Sequence, residues 1–267
     1  MAISDDIPAA LVDLREGIQK LPLALMFGWQ DVARRYRRSK IGAFWLSINM
    51  MIMIGAIGTI FGALFKSPIA TFLPHLAVGL VLWNFISNTI MEMSLSYISS
   101  EGMILQVKMP LSTHLFRVMY RNIVVLIHNI IIIPIVMLFF RVPAGHNIFM
   151  IIPGFFILLL VMFPIGLITS ILCTRFRDMS QVIQNILQLS FYITPIMWFA
   201  HALPGGSYNL VLIFNPFFHL LSIIRGPILG ETIEPLSWAI CVILAGILWL
   251  IAIVFFARFK NRIPFWL

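Results

Sequence analysis

Charged side chains are scarce in this chain: Asp, Glu, Lys and Arg together make up 10% of its 267 residues. Water-soluble domains hold about 25%, so the shortage excludes a surface that is wet all round. Cysteine is nearly absent as well. Cys173 and Cys241 each lie inside or at the end of an apolar run, so they read as small packing residues, and no disulfide framework is expected. The six histidines are scattered without metal-ligand spacing, which argues against a zinc site. No Ser/His/Asp or Cys/His arrangement offers an activated nucleophile, and no Gly-x-x-x-x-Gly-Lys-Ser/Thr loop offers a phosphate cradle. No polar stretch is long enough to hold an ATPase. These absences predict no catalytic residue, metal or cofactor on this chain. The opening Met-Ala-Ile-Ser-Asp-Asp-Ile-Pro is acidic and lacks the basic segment and apolar core of a cleavable signal, so targeting is expected to come from the apolar segments themselves.

What the chain has instead is apolar length: 61% of its residues are hydrophobic and the mean hydropathy is +1.00. The runs are continuous rather than alternating, which predicts spanning helices and not a barrel. A helical span takes about 20 residues, and on that measure six are expected, at about 44–65, 72–97, 113–140, 142–174, 182–202 and 238–257. Between the fifth and sixth the chain is broken by Leu203-Pro-Gly-Gly-Ser207. The apolar run 214–224 that follows is too short to cross and is punctuated by Asn215-Pro216, Gly226-Pro227 and Gly230, which predicts one or two re-entrant half-helices on the outer side. Ahead of the first span, Leu11, Leu14, Ile18 and Leu21 recur at helical spacing with Asp13, Arg15, Glu16 and Lys20 between them, the pattern of an amphipathic helix on the inner membrane face. The expected fold is therefore an all-α integral membrane protein. It has a tail and interface helix over 1–43, a transmembrane domain over 44–258 and a C-terminal tail over 259–267.

The cations sit where these spans begin and end. With the N-terminus inside, six spans return the C-terminus inside, and fifteen of the eighteen Lys and Arg residues then fall on the cytoplasmic side. Lys66, Arg141 and Arg225 are the three left outside. Lys and Arg resist translocation, so this bias predicts the orientation. The densest group, Arg34, Arg35, Arg37, Arg38 and Lys40, runs straight into the first span and sets positive charge at the level of lipid phosphates. In a soluble protein the net charge of +8 would suggest nucleic acid. At membrane edges it is better explained by topology and headgroups, and no nucleic-acid partner is expected.

Polar residues inside the spans form stripes. Asn84, Asn88, Glu92 and Ser96 follow at steps of four in the second span, with Trp83 and Ser87 beside them. His114, Arg117, Arg121 and His128 fall near one face of the third, and Gln181, Gln184, Gln188 and Tyr192 on one face of the fifth. A central charge costs about 2.5–3.5 kcal/mol on insertion scales, so three such faces imply a bundle around a polar path. The plain alternative is that these groups bond one another and only pack helices, Glu92 against Arg121 for instance. Amides and a carboxylate interleaved with Trp83, Tyr97, Tyr120, Tyr192 and Trp198 suit a sugar chain, whose hydroxyls bond the polar groups while its C–H faces stack on rings. Gly55, Gly58 and Gly62 in the first span leave a strip for close helix packing or a subunit seam.

Several segments carry a resemblance along essentially the whole chain. They are Trp29-Gln-Asp-Val-Ala-Arg-Arg-Tyr-Arg-Arg-Ser-Lys-Ile-Gly-Ala-Phe-Trp45, Gly79-Leu-Val-Leu-Trp-Asn84, Lys108-Met-Pro-Leu111, Arg175-Phe-Arg-Asp178, Asn215-Pro-Phe-Phe-His219 and Arg258-Phe-Lys-Asn-Arg-Ile-Pro-Phe-Trp-Leu267. In order and spacing the chain resembles the permease subunits of ABC-2 type exporters, specifically those that export O-antigen, capsule or other polysaccharides. The resemblance implies a homodimer in the bacterial inner membrane, bound to two copies of an ABC ATPase that carries ATP and Mg. It implies a coupling helix at about 99–112, with Glu101, Gln106 and Lys108 facing the ATPase and Arg175, Arg177 and Asp178 as a second contact. It also implies a periplasmic gate at about 208–230, with Asn215, Phe217, Phe218, His219 and Arg225.

The expected substrate is a lipid-linked polysaccharide, its pyrophosphate held by Arg34, Arg35, Arg37, Arg38 or Lys40 and its glycan threaded along Trp83, Asn84, Asn88, Glu92, Gln184, Gln188, Tyr192 and Trp198. An exporter of teichoic acid or of a drug is the nearest rival. A membrane glycolipid transferase would need convergent acids or histidines that the chain lacks, and a secondary transporter would work without the ATPase.

Overall fold

The computed structural model describes residues 3–37, 41–42, 44–143, 145, 147–200, 207–232 and 234–267. Among them the chain forms fourteen α-helices and no strand. Two helices precede the bundle, α1 (Ile3–Gln19) and α2 (Leu21–Tyr36). Then come α3 (Phe44–Leu64), α4 (Ile69–Ser94), the short α5 (Ser96–Ser99) and α6 (Glu101–Gln106), and α7 (Leu111–Ile130) continued by α8 (Ile132–Phe139). The second half holds α9 (Ile151–Arg175), α10 (Met179–Ile193), α11 (Ser207–Phe214), α12 (Pro216–Leu229), α13 (Pro235–Phe259) and α14 (Ile263–Trp266).

Among the described residues, five helices are long and apolar enough to cross a bilayer: α3, α4, α7 with α8, α9, and α13 with the tail after it. α4 is the most buried of them and packs against α3, α7, α8, α9, α10 and α12. Its Leu76, Val78, Val81, Phe85 and Ile86 enter the core on opposite faces, which a near-continuous apolar run permits. α3 buries only one stripe, Ser47, Met50, Ile54, Gly58 and Gly62. Between helices in lipid the apolar driving force is weak, so close approach must do the work. Gly58 meets Leu73 and Leu76 of α4, and Gly62 meets Phe72, whereas nothing lies within 4 Å of where a Gly55 Cβ would be. Two of the three glycines thus serve packing inside the chain.

The fifth span departs from expectation. In place of one helix over 182–202, α10 stops at Ile193, because Thr194 is drawn into an extended conformation (ψ 135°) by the proline that follows it. Residues 194–200 continue without regular helix, and a Cβ on Gly79 would lie 3.2 Å from Ile196, so the segment presses on α4. Residues 201–206 lie outside the described chain. At 15 residues α10 rises about 22 Å, short of the roughly 30 Å of a hydrocarbon core. Its two ends have separate neighbours. One end follows Arg175, which stacks on Trp266 near the C-terminus; the other reaches Pro195, whose carbonyl accepts from Arg225 of α12. The two ends of the chain also meet, since Lys260 Nζ donates to Ala9 O at 2.9 Å. α10 with 194–200 is thus a sixth, shorter apolar segment beside the five long helices.

The expected helix over 99–112 is likewise divided. α6 covers only Glu101–Gln106, Val107 is extended, and Pro110 starts α7. The expected half-helices between the fifth and sixth spans correspond to α11 and α12. The Asn215 side chain caps α12 by accepting from the N–H groups of Phe217 (3.0 Å) and Phe218 (3.4 Å), and Gly230 ends it at φ 74°, where a side chain would be strained.

α1 lies across one end of the bundle, against α13 and α7. Asp13, only 4% exposed, explains how it is held. Its carboxylate accepts from the N–H groups of Leu111 (3.1 Å) and Ser112 (3.0 Å) and from Ser112 Oγ (2.8 Å), so it caps α7 from another helix. Lys260 Nζ pairs with it at 3.2 Å. One side chain thereby ties together α1, the start of α7 and the end of α13.

Candidate functional site

Residues four apart on a helix lie on one face, so α4 carries its polar residues as a lengthwise stripe. Trp83, Asn84 and Asn88 meet Gln184, Gln188 and Phe191 of α10 around a cleft of about 330 Å³, with Met50 and Met53 of α3 on its third side. A second cleft of about 280 Å³ shares Met50, Met53, Asn84 and Asn88 with the first and continues between α3, α4 and α7, where Asn49, Glu92 and Asn122 join the lining. The two form one trough in which the amides are set among apolar side chains such as Met50, Met53, Leu80 and Leu187. Two of the stripes read in the sequence are therefore brought together side by side. Among the described residues, the side-chain amides of Asn84, Asn88, Gln184 and Gln188 form no hydrogen bond, so their donors and acceptors remain available to a ligand. Trp83 closes one end of the trough, with Phe191 at 5.7 Å and Phe217 of α12 at 5.3 Å between ring centroids.

Tyr192 and Trp198 do not line the trough. Tyr192 follows the lining residue Phe191 by one position and points outwards, 62% exposed. Trp198 lies beyond the break at Pro195, where helical spacing no longer fixes direction; its Nε1 donates to Tyr192 O at 3.3 Å.

Glu92 has a second occupation. Arg121 donates to its Oε2 from Nε (3.0 Å) and Nη2 (2.8 Å), and Asn122 donates to the same oxygen at 2.7 Å. Arg35 approaches its other oxygen at 3.6 Å. Asp31 of α2 holds Arg117 by two parallel bonds of 2.7 Å and reaches Arg121 at 3.4 Å. Three cations and two carboxylates from α2, α4 and α7 thus form one network. Glu92 lies at the edge of the trough as a paired charge, which is the helix-packing role weighed for it against Arg121. Asp31 and Asn122 carried no signal in a single-span reading, since each acquires its role from a residue on another helix. α2 can approach α7 this closely because of Gly28, where a Cβ would lie 2.8 Å from the Arg117 carbonyl.

Of the basic group, Arg34, Arg35 and Arg37 are exposed at the end of α2, where the carbonyl end of the helix favours positive charge. Among the described residues, Arg34 donates to Gln30 Oε1 at 3.1 Å. Arg38 and Lys40 lie outside the described residues. At the same end, Gln106 and Lys108 are exposed, Glu101 is half-buried, and the turn holding Arg175, Arg177 and Asp178 is exposed. α14 packs against both α6 and α9, and Arg175 lies 5.5 Å over the Trp266 ring, so the C-terminal tail joins these two segments into one surface. At the opposite end His219 bridges Ser237 Oγ and Ile213 O, both at 2.9 Å, and fixes α12 against α11 and α13. Phe218 stands beside the His219 ring at 5.2 Å.

Residues 23–229 match the family model described as ABC-2 type transporter. The chain is similar to the O-antigen export system permease protein RfbA of Klebsiella pneumoniae, 22% identical over 238 residues that cover 87% of this chain and 90% of that protein. It is similar to the RfbA protein of Myxococcus xanthus, 22% identical over 255 residues, 92% of this chain and 95% of that one. It is also similar to the polysialic acid transport protein KpsM of Escherichia coli, 22% identical over 214 residues, 78% and 81% of the two chains.

Proposed function

We propose, because the chain belongs to the ABC-2 type transporter family, that it is the permease subunit of an ATP-driven exporter carrying a lipid-linked polysaccharide, O-antigen in the first instance, out across the inner membrane. The observation that carries this reading is the trough: unpaired amides of α4 and α10 with Trp83 at its head, set between apolar helices. Unpaired amides are costly against lipid. A second copy of the chain facing the first would turn two troughs into one closed channel, which is why a homodimer belongs to the proposal. The amides then bond successive sugar hydroxyls, and the aromatic ring at the head stacks on their C–H faces.

In this scheme six traverses and the cation bias put both chain ends in the cytoplasm. The exposed Arg34, Arg35 and Arg37, with Arg38 and Lys40, hold the substrate pyrophosphate there; the guanidinium fork suits two phosphate oxygens at once. A separate ATPase dimer binds ATP and Mg and docks on α6, the Arg175–Asp178 turn and α14. Because Asp13 links α1 to the first turn of α7, movement of the segment before α7 reaches the interface helix as well. α11 and α12 act as the outer gate.

The test is deletion of the gene followed by localisation of the lipid-linked glycan. Polymer should accumulate inside the cell; polymer reaching the outer face at normal levels would refute the proposal.

A further inference from the structure

At the end of the molecule away from α1 there is a second cavity, of about 380 Å³, between α12, the start of α13 and the connection joining them. His75 of α4 borders it, 17 residues before Glu92 and therefore about 25 Å along the helix from the ion network. The trough does not include it. Its most unusual wall is Arg225, which is 4% exposed. Nη1 donates to Pro195 O at 2.7 Å and lies 3.2 Å from His75 Nε2, while Nε has no partner among the described residues. A buried guanidinium N–H without an acceptor is costly. Lining the same cavity are the carboxylates of Glu231 and Glu234, the Thr232 hydroxyl and the Trp238 ring. Glu234 is steadied by Ser237 Oγ, which donates to it at 3.1 Å.

The charges identify the class of ligand. One arginine against two carboxylates leaves the wall slightly acidic, which disfavours a phosphate or a sugar acid. A lining that holds a guanidinium, a hydroxyl and two carboxylates offers both donors and acceptors, which matches a group that both donates and accepts at neighbouring positions, as vicinal hydroxyls do. The aromatic face fits the apolar side of a ring, and the volume lies near the small end of ligand pockets, about 300–1,000 Å³. We propose that this cavity binds one neutral hexose unit of the polymer in transit, as a separate sugar station at the exit end. The inference rests on the polysaccharide-export reading.

The experiment uses the full-length permease with its ATPase in lipid nanodiscs and three photoreactive diazirine probes, the methyl glucoside, galactoside and mannoside. At least one should label the peptide containing Glu231, Thr232 and Trp238. Excess unmodified sugar and pre-loading with lipid-linked polymer should both suppress that labelling. Arg225 also holds Pro195, so the variants chosen are the more exposed Glu231→Gln and Trp238→Phe, each expected to lower labelling at least fivefold while the protein purifies as before. Labelling confined to the α4 and α10 peptides would overturn the station and leave the export reading standing. So would a stronger response to a diazirine glucose 6-phosphate, or labelling that survives pre-loading. Loss of polymer export on gene deletion is scored separately, so failure of one claim is distinguishable from failure of the other.

Discussion

Two polar regions touch the same face of α4, and they are built on opposite rules. In the ion network the chain supplies both sides of every interaction: Asp31 is matched by Arg117 and Arg121, and Glu92 by Arg121, Asn122 and Arg35. In the trough, one to two helical turns further along, the amides of Asn84, Asn88, Gln184 and Gln188 have no protein partner among the described residues. A closed set of charges fixes helices in place. An open set of amides waits for something else, and only the second has spare chemistry for a ligand. Substitutions in the two regions should therefore fail in different ways.

The largest loss of stability is expected at the fork between Asp31 and Arg117. Arg117→Ala leaves a largely buried carboxylate with only its longer contact to Arg121, and breaking such a pair costs about 3–5 kcal/mol. The double substitution Asp31→Ala with Arg117→Ala should cost less than the two single losses added together, because no orphan charge remains. Thermal unfolding of the purified permease measures both. A strictly additive double variant would show that the two residues do not act as a pair. Asp13→Ala comes next, at about 2 kcal/mol, since it strips a cap from α7 and a partner from Lys260. The readout is limited proteolysis, with cleavage between α1 and α2 expected to quicken relative to the rest of the chain.

The trough predicts the reverse pattern. Asn88→Ala and Gln188→Ala should leave thermal stability within about 0.5 kcal/mol, as surface substitutions do, yet lower the amount of polymer delivered to the outer face several-fold. Loss of stability without loss of export would place these amides with the ion network instead.

How far the sequence disclosed these regions depends on where each partner lies. The stripe on α4 and the one on α10 were each legible because a periodic pattern sits on one helix, while their sharing of one cleft is set by how the two helices pack. Glu92 was read both as part of the same path and as a partner for Arg121, and it is found at the cleft lining and bonded to Arg121, 29 residues on, with Arg35 of α2 nearby. Asp31 was silent because its partner is 86 residues away. The apolar runs gave four of the five long helices to within about three residues of α3, α4, α7 with α8, and α13, whereas the fourth was expected from residue 142 and α9 begins at Ile151. The fifth predicted span failed at Thr194, where a local rule, the exclusion of helix before proline, overrides a hydropathy that continues past it. Tyr192 and Trp198 lie outside the trough of the single chain, the first because it follows Phe191 by one position on the helix and the second because it lies past the break at Pro195.

The smallest effect on stability is expected at the basic group, which extends the comparison to charges that neither region pairs. Arg34 and Arg37 are exposed, and among the described residues Arg34 has only a hydrogen bond to a neighbouring glutamine. Removing an unpaired exposed charge strands no partner, so Arg34→Gln with Arg37→Gln should change unfolding by about 0.5 kcal/mol or less. Arg35 differs, because it leans on Glu92 at 3.6 Å and so belongs partly to the network. Binding of a polyprenyl pyrophosphate in nanodiscs should fall in the Arg34/Arg37 pair variant and should weaken as salt rises, as expected for exposed charges. If binding is unchanged while membrane insertion becomes scrambled, these cations serve only to orient the chain. The ion network and the Asp13–Lys260 pair would then be the charges at this end that hold the folded protein together.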